Sequence, residues 1–111
     1  MGSASESGGE AERPKHVSLR VMGGFYAGLE VPMDRARMVI GRGRGADLVV
    51  AESTMSREHA AIGFDDDGCF VEDLQSTNGT RVNGERCTRT RLQDGDEIQL
   101  GRLQLQVSLR D

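Results

Sequence analysis

A chain of 111 residues is the size of one domain, and its formal charge of −4 argues against broad nucleic-acid binding, which needs a basic surface. No apolar run is long enough for a signal peptide or a membrane span, so the expectation is a soluble, cytoplasmic protein with no membrane partner. Cys69 and Cys87, with only His16 and His59 besides, are too few and too scattered for a metal site; neither a metal nor a cofactor is expected.

The aromatic residues are Phe25, Tyr26, Phe64 and Phe70, so the core should be mostly aliphatic. Lys15 is the only lysine, and arginine therefore carries nearly all the positive charge. A guanidinium is a planar fork that suits phosphate or carboxylate. A GC-rich genome, which favours arginine codons, accounts for the same bias. Residues 1–15 contain Ser, Gly, Glu and Ala with almost nothing to bury, and read as a disordered N-terminal tail ahead of a domain over 16–110.

Short strands broken by turn residues follow. Val17-Ser-Leu-Arg-Val-Met22 alternates apolar and polar positions as a half-buried strand does. Gly23-Gly24 breaks it, Leu29-Glu-Val31 is its hairpin partner, and Pro32 ends that piece. Arg37–Ile40 and Leu48–Val50 flank Gly41-Arg-Gly-Arg-Gly45, and Glu52–Glu58 is a polar stretch. Ala60–Phe64 and Cys69–Asp73 flank the acidic turn Asp65-Asp-Asp-Gly68, which lacks the alternating ligands and downstream Glu of a calcium loop. Thr80–Val82 and Glu85–Cys87 flank Asn83-Gly84, a tight hairpin signal. Glu97–Leu100 and Leu103–Leu109 complete the series, and the last has the clearest alternation in the chain. No stretch keeps a helical period over three turns. The reading is an all-β sandwich of about eleven short, mostly antiparallel strands. Cys69 and Cys87 read as small strand hydrophobes, and the sequence leaves a disulfide between them open.

Three polar turns interrupt strands that must otherwise pack: Gly41-Arg42, Ser56-Arg57-Glu58-His59 and Ser76-Thr77-Asn78-Gly79. In a sandwich, alternate connections gather at one end, where loops can pool their chemistry. Guanidinium, hydroxyl and amide groups suit a doubly charged oxyanion. Nothing among them looks like a nucleophile with its base. Gly41–Gly45 also lacks the Gly-Lys-Ser/Thr ending of a nucleotide loop, so an enzyme is not expected. An RNA role for the Gly-Arg run is opposed by the acidic charge and the shortage of aromatics.

Four ordered motifs then give a specific resemblance: Ile40-Gly41-Arg42, Met55-Ser56-Arg57-Glu58-His59-Ala60, Asp73-Leu-Gln-Ser-Thr-Asn-Gly-Thr80, and Val82-Asn83-Gly84. Together with Leu92, Asp94-Gly95-Asp96 and Ile98 before Leu100-Gly101, they resemble the forkhead-associated (FHA) domain, a phosphothreonine-binding β-sandwich, from about His16 to Leu109. The resemblance implies that Arg42, Ser56, Arg57 and Thr77 bind phosphate, although the type of residue at the Arg57 position varies across the family. It implies that Asn78 holds the peptide main chain, with Asn83 a minor contact. Gly41 would let the chain bend so that Arg42 reaches the loops, His59 would brace Ser56 from beneath, and Gly79 would support its turn. Arg44 reads as an exposed charge or an extra contact.

The implied function is a phosphopeptide-binding module in serine/threonine-kinase signalling, within a larger signalling or secretion protein or alone, and monomeric. Tail residues 1–14 hold no threonine, which favours a phosphorylated partner in trans over the domain's own tail. The alternative is a sandwich that binds proteins through a sheet face and ignores phosphate.

Overall fold

The computed structural model describes residues 16–110, so the reading of residues 1–15 as a tail lies outside the described residues. Eleven strands run in chain order: β1 (His16–Val21), β2 (Glu30–Pro32), β3 (Arg37–Gly41), β4 (Leu48–Val49), β5 (Ala60–Asp65), β6 (Gly68–Asp73), β7 (Thr80–Val82), β8 (Glu85–Cys87), β9 (Arg89–Arg91), β10 (Glu97–Leu100) and β11 (Leu103–Arg110). They make a six-stranded sheet ordered β2-β1-β11-β10-β7-β8 and a five-stranded sheet ordered β4-β3-β5-β6-β9. Among the described residues only β3–β4 pairs in parallel; the other ladders are antiparallel. Among the described residues no helix is long and apolar enough to cross a membrane.

Period-two alternation fixes which side chains meet between the sheets. Val17, Leu19 and Val21 of β1, Leu103, Leu105 and Val107 of β11, and Ile98 and Leu100 of β10 are buried. They join Met38, Ile40, Ala60, Ile62, Cys69 and Val71 of the opposite sheet in one cluster. Each fully buried Leu or Ile contributes about 1.5–3 kcal/mol, so this aliphatic layer supplies the rigidity against which the loops are held. Cys69 and Cys87 are free thiols, and burial pushes the Cys69 thiol up to about 11.

Strand β9 is the element that pattern reading leaves unnamed. Arg89-Thr-Arg91 has no apolar alternation, because its register partners on β6 supply the packing. Phe70, opposite Arg91, lays its ring over Gly63, where a Cβ would sit 2.9 Å from the ring edge. The Arg89 guanidinium covers that ring at 4.0 Å. Asp65 of the acidic turn then binds Arg91 at 2.7 Å and Arg89 at 3.2 Å. The Arg91 bond, helped by the Asp67 N–H, holds the Asp65 carboxyl down at about 2. The acidic turn thus works as an anchor for β9.

Pro32 is the last residue of β2 and ends that strand, as its place in the sequence predicts. As an edge strand, β2 has no ladder on one side, and a missing N–H costs nothing there. Asn83 and Gly84 both take positive φ (50° and 87°), the geometry of a two-residue hairpin turn joining β7 and β8.

Candidate functional site

Three connections meet at one end of the sandwich: β3–β4, β4–β5 and β6–β7. The first two are stitched by backbone bonds from Arg42 N–H to Ser56 O and from Gly43 N–H to Arg57 O, both 3.0 Å. This approach needs glycine. A Cβ on Gly41 would fall 2.0 Å from the Arg57 carbonyl oxygen, and one on Gly43 would fall 3.0 Å from the Arg57 Cβ. Gly41 does not take a positive φ, so close contact, rather than a bend, is what excludes a side chain there.

The Arg42 side chain is fixed at its base. Its Nε–H donates to the Met55 carbonyl at 3.0 Å, which leaves the two terminal nitrogens of the fork open. Met55 itself is buried, so the acceptor cannot drift. Ser56 Oγ accepts the Thr77 N–H at 3.0 Å and keeps its own proton to donate. That bond spends the Thr77 N–H and leaves the Thr77 hydroxyl for a guest. The loops are thus joined through the very groups that face outward.

His59 is fully buried beneath them. Its Nδ1 accepts the Ser56 N–H at 3.1 Å, so that nitrogen carries no proton, and Nε2–H donates to the Gly79 carbonyl at 2.8 Å. One neutral imidazole therefore fixes the relative height of the Ser56 and Gly79 loops. Its main chain adds bonds to Ile40 O and from Leu74 N–H, both 2.9 Å. Since neither ring nitrogen meets the Ser56 hydroxyl, the Ser–His pair is not arranged as a nucleophile and base.

Asp73 and Thr80 stand in a motif the sequence shows, but their part in shaping the Ser76–Gly79 turn appears only in the structure. Asp73 takes the Ser76 hydroxyl at 2.6 Å, the Ser76 N–H at 3.1 Å and the buried Thr80 hydroxyl at 2.7 Å. Ser76 Oγ in turn accepts the Gly79 N–H at 2.9 Å. The turn's positive φ falls on Gln75 (60°) and Gly79 (89°), and Asn78 is spared it. The Asp-x-x-Ser spacing, a side chain capping the N–H groups of its own turn, was the available signal.

Burial pushes the Asp73 carboxyl up, but the Ser76 and Thr80 hydroxyls and the Ser76 N–H outweigh it and hold the group below its usual value. A carboxyl depressed in the folded state adds stability above its unfolded value, near 3.9, and that stability is lost as pH falls through the lower folded value. Between about pH 5 and about pH 2 the chain should accordingly lose more stability than Asp73→Asn does, measured as urea midpoints across that range. Equal losses in the two proteins would contradict this role.

Thr54 is unforeseen in the sequence. Its carbonyl accepts the Asn78 side-chain N–H at 2.7 Å, and its hydroxyl accepts the Arg102 N–H at 2.8 Å while donating to Glu52. The β10–β11 turn thereby props the β4–β5 loop from behind and orients Asn78. Asn83 lies apart from this group. Its side chain donates to Asp96 at 3.0 Å and accepts the Glu97 N–H at 3.0 Å, which uses both ends of the amide within the domain.

Beside Arg42 a recess of about 710 Å³ is lined by Arg42, Arg44, Arg57, Glu58 and two glycines. No carboxylate among the described residues lies within ion-pair distance of these three arginines, whereas Arg20, Arg35, Arg37, Arg89 and Arg91 all have one.

Two antiparallel-rich sheets with an oxyanion-ready loop cluster at one end define a sandwich-type binding module. The sequence profile of the FHA domain matches residues 38–101. This chain belongs to the FHA domain family. It is 34% identical to an oxoglutarate dehydrogenase inhibitor of Corynebacterium diphtheriae over 94% of this chain and 73% of that protein. It is 35% identical to the glycogen accumulation regulator GarA of Mycobacterium tuberculosis over 89% of this chain, and the match spans 61% of GarA's length. A structure solved in a structural and functional analysis of phosphothreonine-dependent FHA domain interactions superposes with a TM-score of 0.79 at 32% identity, covering 87% of this chain and 99% of its own.

Proposed function

We propose that this chain is a phosphopeptide-binding module that recognises phosphothreonine-containing proteins in serine/threonine-kinase signalling. The observation that carries this reading is the Arg42–Ser56–Thr77 junction. An anchored guanidinium, a hydroxyl that keeps its proton and a free threonine hydroxyl are tied together by bonds of 3.0 Å. The phosphothreonine-dependent interactions of a structural relative support it.

In this proposal Arg42, Ser56 and Thr77 hold the phosphate and Arg57 adds charge from the recess wall. Asn78, oriented by Thr54, meets the peptide main chain; any Asn83 contact is left to its own backbone. Gly41, His59 and Gly79 keep the loops in register. Binding rather than turnover is the activity, because the His59 imidazole beside Ser56 is fully engaged elsewhere. The relatives' names, an inhibitor and a regulator, fit a domain that docks on other proteins. Two free thiols suit the reducing cytoplasm, where the chain would act as a monomer.

Calorimetry with a phosphothreonine peptide and its unphosphorylated twin tests the proposal. The phosphorylated peptide is expected to bind at least tenfold more tightly, about 1.4 kcal/mol. Equal affinities would reject it in favour of phosphate-independent docking, for which the exposed Met22, Phe25 and Leu29 offer an apolar surface.

A further inference from the structure

On the other side of the Ser76–Gly79 turn, Arg81 and Arg86 stand directly opposite one another in the β7–β8 ladder. Their strand neighbours Thr80, Val82 and Cys87 are buried or half-buried, while both arginines and Glu85 are exposed. Like charges at directly opposite positions repel and weaken a ladder. Four other strand arginines have an acidic partner, Arg20 opposing Glu30, Arg37 reaching Glu72, and Arg89 and Arg91 sharing Asp65, while Arg110 opposes His16. Among the described residues, neither Arg81 nor Arg86 has a carboxylate within ion-pair distance. In a chain of net charge −4, that pairing is not a by-product of excess basic residues.

Geometry links the pair to the loops. The Arg86 guanidinium lies against Gly79: a Cβ there would be 3.0 Å from Nε and 3.1 Å from Cζ. Gly79 follows Thr77 by two residues, and His59 pins its carbonyl, so Arg86 rests on a fixed support beside the phosphate loops. Arg81 reaches only the Gly84 carbonyl, at 3.5 Å.

We propose that Arg81 and Arg86 form a second anion subsite, which takes an acidic or additional phosphorylated side chain of the same peptide whose phosphothreonine docks at Arg42, Ser56 and Thr77. This rests on the function proposed above. An extended peptide advances about 3.3 Å per residue, so moving an acidic residue along the peptide finds the spacing that brings a second anion to the pair. A carboxylate or phosphate there relieves the repulsion between the two guanidinium groups and gains charge-assisted hydrogen bonds.

The test is calorimetry on phosphothreonine peptides with neutral flanks, with a single Glu moved through four positions on each side, and with a second phosphothreonine at the best of these. The proteins are the unaltered domain, Arg81→Gln, Arg86→Gln and the double variant. At one position Glu should tighten binding about fivefold, and the second phosphate more, with the gain shrinking as salt is added. In the double variant the gain should vanish while the neutral-flank peptide keeps its affinity within about twofold. Should Arg86→Gln disturb the Gly79 turn, Arg81→Gln alone still has to lower the gain. The comparison of Glu with phosphate separates an acidic-motif reader from a reader of double phosphorylation. If no position gives a gain, or the gain survives the double substitution, the subsite is overturned and the phosphothreonine reading stands. If no phosphorylated peptide binds at all, both are overturned.

Discussion

Replacing Arg42 by alanine should lower affinity for a phosphothreonine peptide at least tenfold, and by about a hundredfold or more if both terminal bonds are lost. Two terminal nitrogens of the fork remain after Nε is spent on Met55, and a hydrogen bond to a charged group is worth about 1.5–3 kcal/mol. Phosphate brings close to two negative charges at neutral pH, so both bonds are charge-assisted. The folded domain should lose little, about 1 kcal/mol for the single bond to the Met55 carbonyl. Arg42→Lys should fall between, because an ammonium keeps the charge but cannot present the fork from the same anchor. The measurement is a calorimetric titration alongside a urea melt. An Arg42→Ala protein that is fully folded and binds the phosphopeptide as before would remove Arg42 from the site.

Gly41→Ala should have the largest effect on stability of any single-methyl change considered. The new Cβ would meet the Arg57 carbonyl oxygen at 2.0 Å and its carbon at 2.6 Å, and both are backbone atoms that no rotamer change can move aside. The β4–β5 loop has to retreat, and the bonds from Arg42 N–H to Ser56 O and Gly43 N–H to Arg57 O have to stretch or break. Overpacking on this scale costs about 3 kcal/mol or more, a large share of what holds a domain of this size together. Phosphopeptide binding should fail with it, since Arg42 and Ser56 are positioned by that contact. Gly23→Ala is the control: its nearest neighbour is the Gln104 side chain at 3.9 Å, and the midpoint should stay within about 0.5 kcal/mol. Equal midpoints for the two variants would contradict the close approach.

How much of this was readable beforehand depends on what each residue leans on. Strand β11 announces itself because Leu103, Leu105 and Val107 alternate with glutamines, and the structure buries all three. Asn83-Gly84 is equally plain, since few other pairs accept two positive φ values. Strand β9 is silent: its stability comes from Phe70 and Asp65, which lie some twenty residues earlier in the chain. The same holds within the site. The residue types proposed to face a ligand stand in contiguous, recognisable motifs. Those that prop them from behind do so through bonds between distant segments, as Thr54 does with Asn78 and Arg102. Gly41 illustrates the limit. Its identity is legible, but the reason for it, an approach to Arg57, appears only once two loops are placed side by side.

Whether Arg42, Ser56 and Thr77 converge on one phosphate is tested most directly by the matched-peptide titration followed residue by residue through nitrogen–proton NMR signals. With the phosphorylated peptide, the Arg42 side-chain Nε–H and the Ser56 and Thr77 amides should show the largest shifts, and the unphosphorylated twin should leave them in place. If those three stay still while Met22, Phe25 and Leu29 move with either peptide, the phosphate pocket is not where this structure puts it.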